Sequence, residues 1–216
     1  MKIEYLGHSC FKLTESTGTS IVCDPYDSSI GYEMPKVAAD AVTISHHHYD
    51  HDNVAAVGGN PIVIEGECGY HLPGVEISAI RSYHDECGGK KRGENTIFKF
   101  RMDGLDICHL GDIGQDCEPE IIDALLPVNV LLIPVGGNYT IDSEMAKEYV
   151  DRIMPDIVIP MHYRSKGCKI DIDKVDGFLD LFDDGMVEEV ESGEMELARS
   201  FLGGDTKVYV LRRKQS

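Results

Sequence analysis

Four histidines and two aspartates fall within seven positions, from His46 to Asp52, in the stretch AVTISHHHYDHDN (41–53). The run follows a short apolar segment that reads as a strand. In an extended chain alternate side chains point the same way, so His46 and His48 can reach one point while His47 faces away. Asp50 and His51 come next, where the chain is expected to turn into a short helix over 51–58. Imidazoles and a carboxylate crowded this closely would repel or clash if all were protonated. A divalent cation resolves the conflict, because neutral imidazole and carboxylate are natural ligands for zinc-like ions. The competing reading is a solvated His-rich loop with Asp50 as a helix cap; the spacing after an apolar strand favours the metal.

Three other places supply partners. RSYHDE puts His84 at the end of a strand, CHLGDIG puts Asp112 at the end of another, and IVIPMHY puts His162 at the end of a third. Singly each is weak. Together with 46–51 they place metal-type ligands at the ends of four separate strands, where rigid scaffolds commonly carry their sites.

The elements that must hold these residues are mostly strands first. KIEYLG, CFKLT and SIVCDP are short β-type runs broken by Gly, Ser and Asp-Pro, followed by 41–45, 61–66 and 75–82. Segments 95–102 and 106–112 are split by Asp-Gly-Leu, a hairpin-type turn. Helical spacing enters later, in EPEIIDALL with an early Pro, in DSEMAKEYVDRIM with an Asp/Ser cap and a stop at Pro155, and in IDKVDGFLDLFDD. Strands 129–135 and 156–162 are apolar on both faces, as strands under helices are. The order implies an α/β architecture of sheets covered by helices, with a site at the strand ends.

Composition bounds the function classes. At 216 residues and 42% hydrophobic, the chain reads as one globular domain, 1–216, able to bury a sizeable core. The first residues show no charged leader with an apolar run, and no stretch approaches a membrane span. The seven scattered cysteines form no CxxC pair, which fits reduced thiols and a cytoplasmic location. A formal charge of −18 disfavours nucleic-acid and anionic-lipid partners, although cations held by carboxylates would make a site locally positive.

The pattern His46-x-His48-x-Asp50-His51, followed by His84, Gly111-Asp112 and His162, resembles the metallo-β-lactamase superfamily, in particular its small branch of predicted zinc-dependent hydrolases. YLGHSCF, IVCDP, HDECGGKKRGENTIF, PVGGNYTID and IPMHY are similar to further blocks of that branch, so the resemblance covers most of the chain. It implies a four-layer αββα sandwich with two divalent cations, zinc first and manganese or iron compatible. By position it assigns His46, His48 and His84 to one metal, Asp50, His51 and His162 to the other, and Asp112 as the bridge. It further implies metal-assisted hydrolysis, in which a hydroxide bridging two cations about 3.5–4 Å apart attacks an ester, lactone or phosphodiester of a small molecule. Asp50 would also orient the nucleophile. One departure is Gln115, where relatives often carry His after the Gly-Asp-x-Gly turn.

Further candidates follow from the same blocks. Arg92, in GGKKRG with Lys90 and Lys91, could bind a substrate carboxylate or phosphate, and is grouped with Asp50 and His8 as catalytic. His8 either lines the cleft as a hydrogen-bond donor or proton carrier, or is packed in a strand turn. His109 either orients a ligand or is a satisfied core histidine. Tyr139 in GGNYT could donate to a substrate oxygen. Three rival readings stay open: a nuclease of the same fold, a non-catalytic metal-binding or sensing module, and a di-iron redox variant. A homo-oligomer is also open.

Overall fold

Strands dominate the first half of the chain and helices enter late, as the residue pattern predicts. The computed structural model describes residues 1–66 and 69–213. In chain order the elements are β1 (Lys2–Gly7), β2 (Cys10–Thr14), β3 (Ser20–Cys23), β4 (Val37–Ala38), β5 (Ala41–Ile44), β6 (Val57–Gly58), β7 (Ile62–Glu65), β8 (Tyr70–Leu72), β9 (Val75–Tyr83), β10 (Glu94–Met102) and β11 (Leu105–His109). There follow α1 (Pro119–Leu125), β12 (Val130–Pro134), α2 (Ser143–Ile153), β13 (Ile157–Met161), α3 (Asp176–Leu179), β14 (Val187–Val190), β15 (Glu194–Glu196) and β16 (Lys207–Leu211).

Two large sheets form. One has the order β15-β1-β2-β3-β5-β7, the other β14-β16-β13-β12-β11-β10-β9-β8. Their facing sides bury one apolar layer, with Ile3, Phe11, Phe98, Phe100 and Leu132 at 0% exposure. The outer face of the eight-stranded sheet buries Leu131, Ile133 and Val158 against Ile122, Tyr149, Val150 and Phe178 of the three helices. This is an α/β sandwich, as expected. Among the described residues the outer face of the six-stranded sheet is covered differently. Tyr26, Ile30, Tyr32 and Val57, from irregular chain, 3₁₀ turns and the β4–β6 ribbon, cover Val22 and Val42.

Local signals account for several boundaries. The β10–β11 hairpin turns at Asp103 and Gly104, with φ of 51° and 73°, the two positive dihedrals its tight turn requires. Asp142 caps α2 by accepting from Met145 N–H at 2.9 Å, and Met154 ends it in the left-handed region before Pro155. Two helical expectations fail. The helix expected over 51–58 is a tight turn, with His51 and Asp52 N–H both donating to the His48 carbonyl. A single 3₁₀ turn, Val54–Ala56, then runs into β6. Asn53 is tied to Pro25 and Tyr26 carbonyls, which holds the chain against the sheet instead of winding it. In 172–184 only α3 is α-helical; Phe178 is its one buried residue, and so short an apolar stripe cannot sustain a long helix. No helix among the described residues is long and apolar enough to cross a membrane.

Candidate metal centre

The candidate ligands leave the carboxyl ends of β5, β9, β11 and β13. β11 runs parallel to β12 and β13, and β9 reaches the same direction through the antiparallel β10. His84, Asp112 and His162 therefore emerge at one end of the eight-stranded sheet, and His46 meets them from the other sheet. Asp112 is the centre of the group. Its Oδ2 lies 3.2 Å from Nε2 of His51 and of His162, 3.4 Å from that of His84 and 3.9 Å from that of His46. Donor atoms of His46, His48 and His84 lie within 4.8 Å of one another, as do those of His8, Asp50, His51 and His162. All seven expected ligands thus meet, and His47 faces outward between Asp52 and Glu65.

Three buried groups fix the ring orientations, and the sequence reading assigned a role to none of them. Asp24 accepts from Ser45 N–H (2.8 Å) and Ser45 Oγ (2.5 Å), and from His51 Nδ1 at 2.9 Å. With its proton given to Asp24, Ser45 Oγ accepts from His46 Nδ1 at 2.9 Å. Both imidazoles are thereby held with Nε2 aimed at Asp112. Asn95 Oδ1 accepts from Asp112 N–H at 2.9 Å while its amide donates to the Leu110 carbonyl. Gly111 belongs to this clamp: at φ 56° a Cβ there would meet Asn95 Oδ1 at 2.4 Å. His109 acts on the same turn, accepting from Gly111 N–H and donating to the Ser9 carbonyl.

The electrostatics suit a cation. Nε2 of His46 and His51 and Oδ1 of Asp112 are buried without a hydrogen-bond partner, an arrangement that costs stability unless something else binds them. Burial, then the neighbouring His51, pushes His46 down to about 2. Burial also lowers His84. Burial opposes charge on His51 and Asp112 alike, but close contact prevails: Asp112 raises His51, while His162 and then His51 hold Asp112 well below the usual carboxylate range. The cluster is an ionised carboxylate ringed by imidazoles, one of which, His51, it draws toward the charged form in the place a cation would take, and the donor set fits zinc, manganese or iron.

The β-lactamase superfamily domain model matches residues 2–162. This chain belongs to the metallo-β-lactamase superfamily. Within the superfamily it is 31% identical to a UPF0173 metal-dependent hydrolase of Pelotomaculum thermopropionicum, over 76% of this chain and 85% of that one. A UPF0173 metal-dependent hydrolase of Methanospirillum hungatei is 29% identical over 76% and 84%. A crystal structure from Thermotoga maritima, classed with the Zn-dependent hydrolases of the superfamily, superposes with a TM-score of 0.80 at 38% identity, covering 97% of each chain.

Against this superfamily site lies a cavity of about 700 Å³, lined by His48, Asp50, His84, Asp112 and His162 and also by Arg92, Tyr49, Tyr139 and Lys169. Arg92 thus reaches the cavity, as does Tyr139. His8 does not line it. It is fully buried, its Nε2 is 3.1 Å from Asp50 Oδ2, and its ring lies 4.3 Å from that of His162. Tyr163 is buried in the core under the helices. Gln115, the departure from the branch, accepts from Tyr83 N–H beside His84. Of the GGNYT glycines, Gly136 packs so closely that a Cβ would meet the His162 carbonyl at 2.1 Å, so its role is close approach to that ligand's backbone.

The loop after His84 is built around Asp85, which is 1% exposed. Its Oδ1 accepts from Cys87 and Gly89 N–H at 2.8 and 2.9 Å, and its Oδ2 from Lys91 and Arg92 N–H at 2.8 Å. Burial opposes ionisation, but these four amides hold its carboxyl down at about 2. The contribution is therefore present above the ordinary Asp value and lost as pH falls through about 2. Asp85→Asn is expected to speed amide hydrogen exchange at 87, 89, 91 and 92 by about tenfold or more, since the substitution removes the charge and turns one of the two acceptor oxygens into a donor. Exchange unchanged from the wild type would remove Asp85 as the loop's organiser.

Proposed function

We propose that the chain is a dinuclear metal-dependent hydrolase of a small ester, lactone or phosphodiester. The observation that carries this reading is the meeting of seven ligand-type side chains from four strand ends around Asp112 Oδ2, on the wall of a cavity. The relatives described as metal-dependent hydrolases support the enzyme class. In this reading His46, His48 and His84 hold one cation, Asp50, His51 and His162 the other, and Asp112 both. Bound there, a cation pair supplies Lewis acidity and a water acidified toward neutrality.

The chain's own residues do the rest. Asp24 and Ser45 keep the Nε2 lone pairs of His51 and His46 directed inward. His8, pushed down to about 4 by burial and then by His162, is neutral at physiological pH and donates to Asp50, holding that carboxylate in place. It is a positioning residue rather than a group on the substrate. A cavity of about 700 Å³ is in the size range of small-molecule sites, which favours a small substrate over a nucleic acid. Zinc is the proposed metal, by the histidine-rich donor set.

The test is elemental analysis of protein purified without added metal, followed by ester, lactone and phosphodiester panels on the same sample. About two equivalents of a transition metal and turnover on one class are expected. Fewer than one equivalent, or stoichiometric metal with no turnover on any class, would defeat the proposal, the second outcome in favour of a sensing module.

A further inference from the structure

Two cationic side chains stand on the cavity wall of a strongly acidic chain, beside the carboxylates of Asp50, Asp112 and Asp171. The protein has 38 acidic residues against 20 Lys and Arg, yet Arg92 and Lys169 both line the cavity. Among the described residues neither is ion-paired with a carboxylate. Arg92 donates through Nη2 to the Asn138 carbonyl at 2.9 Å and lies over the Tyr139 ring at 5.6 Å. That uses one of the two Nη2 hydrogens and leaves the other to complete a planar fork with a neighbouring guanidinium N–H, shaped for two oxygens of one anion. Lys169 comes from a different loop, held by its N–H to the Ile30 carbonyl at 2.8 Å. Asp171 lines the same wall and pairs with neither cation.

The position of Arg92 is built. The buried Asp85 takes the Arg92 N–H itself, together with three other amides of the loop that leads to it. On the same wall, Tyr49 and Tyr139 keep 56% and 39% of their surface exposed, which leaves aromatic surface open to a ligand.

We propose that Arg92 and Lys169 form an anion subsite, selecting substrates that carry a carboxylate or phosphate away from the bond cleaved, with Tyr49 and Tyr139 against the apolar part between. This deepens the hydrolase reading and rests on it for the word substrate; the anion subsite itself does not. The metal ligands lie in the same cavity and also attract anions, so the experiment must separate the two.

Benzoate, phenyl phosphate and benzamide are titrated calorimetrically into the metal-loaded protein, and metal content is measured in every variant. Both anions are expected to bind about tenfold or more tighter than benzamide, the scale of one charge-assisted contact. Arg92→Ala and Lys169→Ala should each weaken the anions several-fold with benzamide little changed and metal content equal to wild type. Arg92→Lys should recover part of the loss, since it keeps the charge without the fork. Lys99→Ala, a remote loss of the same charge, should have no effect. Anions held no tighter than benzamide, or held equally by wild type, Arg92→Ala and Lys169→Ala, would overturn the subsite. Arg92-dependent anion binding in a protein that cleaves nothing would instead defeat the hydrolase reading and leave the subsite standing.

Discussion

Asp112→Asn is expected to leave the fold in place, to lower the content of bound metal and to lower turnover by about 10³-fold or more, the equivalent of several kcal/mol of Lewis-acid stabilisation at 1.4 kcal/mol per decade. The substitution is nearly isosteric. The Asp112 main-chain N–H still donates to Asn95, so the turn after β11 keeps its anchor. What disappears is the negative charge 3.2–3.4 Å from Nε2 of His51, His162 and His84. With an amide there, the one carboxylate common to both halves of the cluster can no longer neutralise a cation pair. Elemental analysis and steady-state kinetics on the same sample read both effects. Full metal content with near wild-type turnover would mean that Asp112 is not the bridge.

Complete removal of metal by chelation is expected to lower the melting temperature by roughly 10 °C. Binding to the native state alone stabilises by about 3–4 kcal/mol at 100–1,000 times the dissociation constant, and a chain of this length shifts by about 2–4 °C per kcal/mol. Stripping the site exposes the cost already visible in the cluster, where His46 Nε2, His51 Nε2 and Asp112 Oδ1 are buried without partners. Zinc should restore the transition and magnesium should not, because nitrogen-rich sites suit the former. A melting curve indifferent to verified metal removal would show that the cluster is stable on its own.

Much of the site was legible because its signal is local. His46 and His48 alternate after an apolar strand, and His84, Asp112 and His162 each stand just beyond a strand that its own residues announce. The sheets and two of the helices were legible for the same reason. The orienting groups were not. Asp24 is recognisable only once β3 and β5 lie side by side and bring Ser45 and His51 onto its two oxygens. Asn95 serves Asp112 across the expected β10–β11 hairpin, but an Asn at a strand start carries no signal of its own that it would hold a ligand's backbone. Lys169 carries no signal in SKGCKI. It reaches the cavity because Gly31 packs on Gly167, where a Cβ would meet the carbonyl at 2.1 Å. The helix expected over 51–58 failed because contacts with Pro25 and Tyr26 outweigh the modest preferences of that segment. The last three strands, β14 to β16, are short, charged and placed at or near sheet edges, so alternation was too brief to announce them.

The grip of Asp85 on its loop has an evolutionary reading. The carboxylate binds main-chain amides, which every residue except proline supplies, and so it constrains the path of 87–92 without constraining most of the side chains along it. A mutation at Arg92 can therefore change what the cavity recognises while the loop keeps its shape. Such an arrangement separates inheritance of the scaffold from drift in ligand preference, and it marks this position as the place to look for divergence among descendants of a common ancestor.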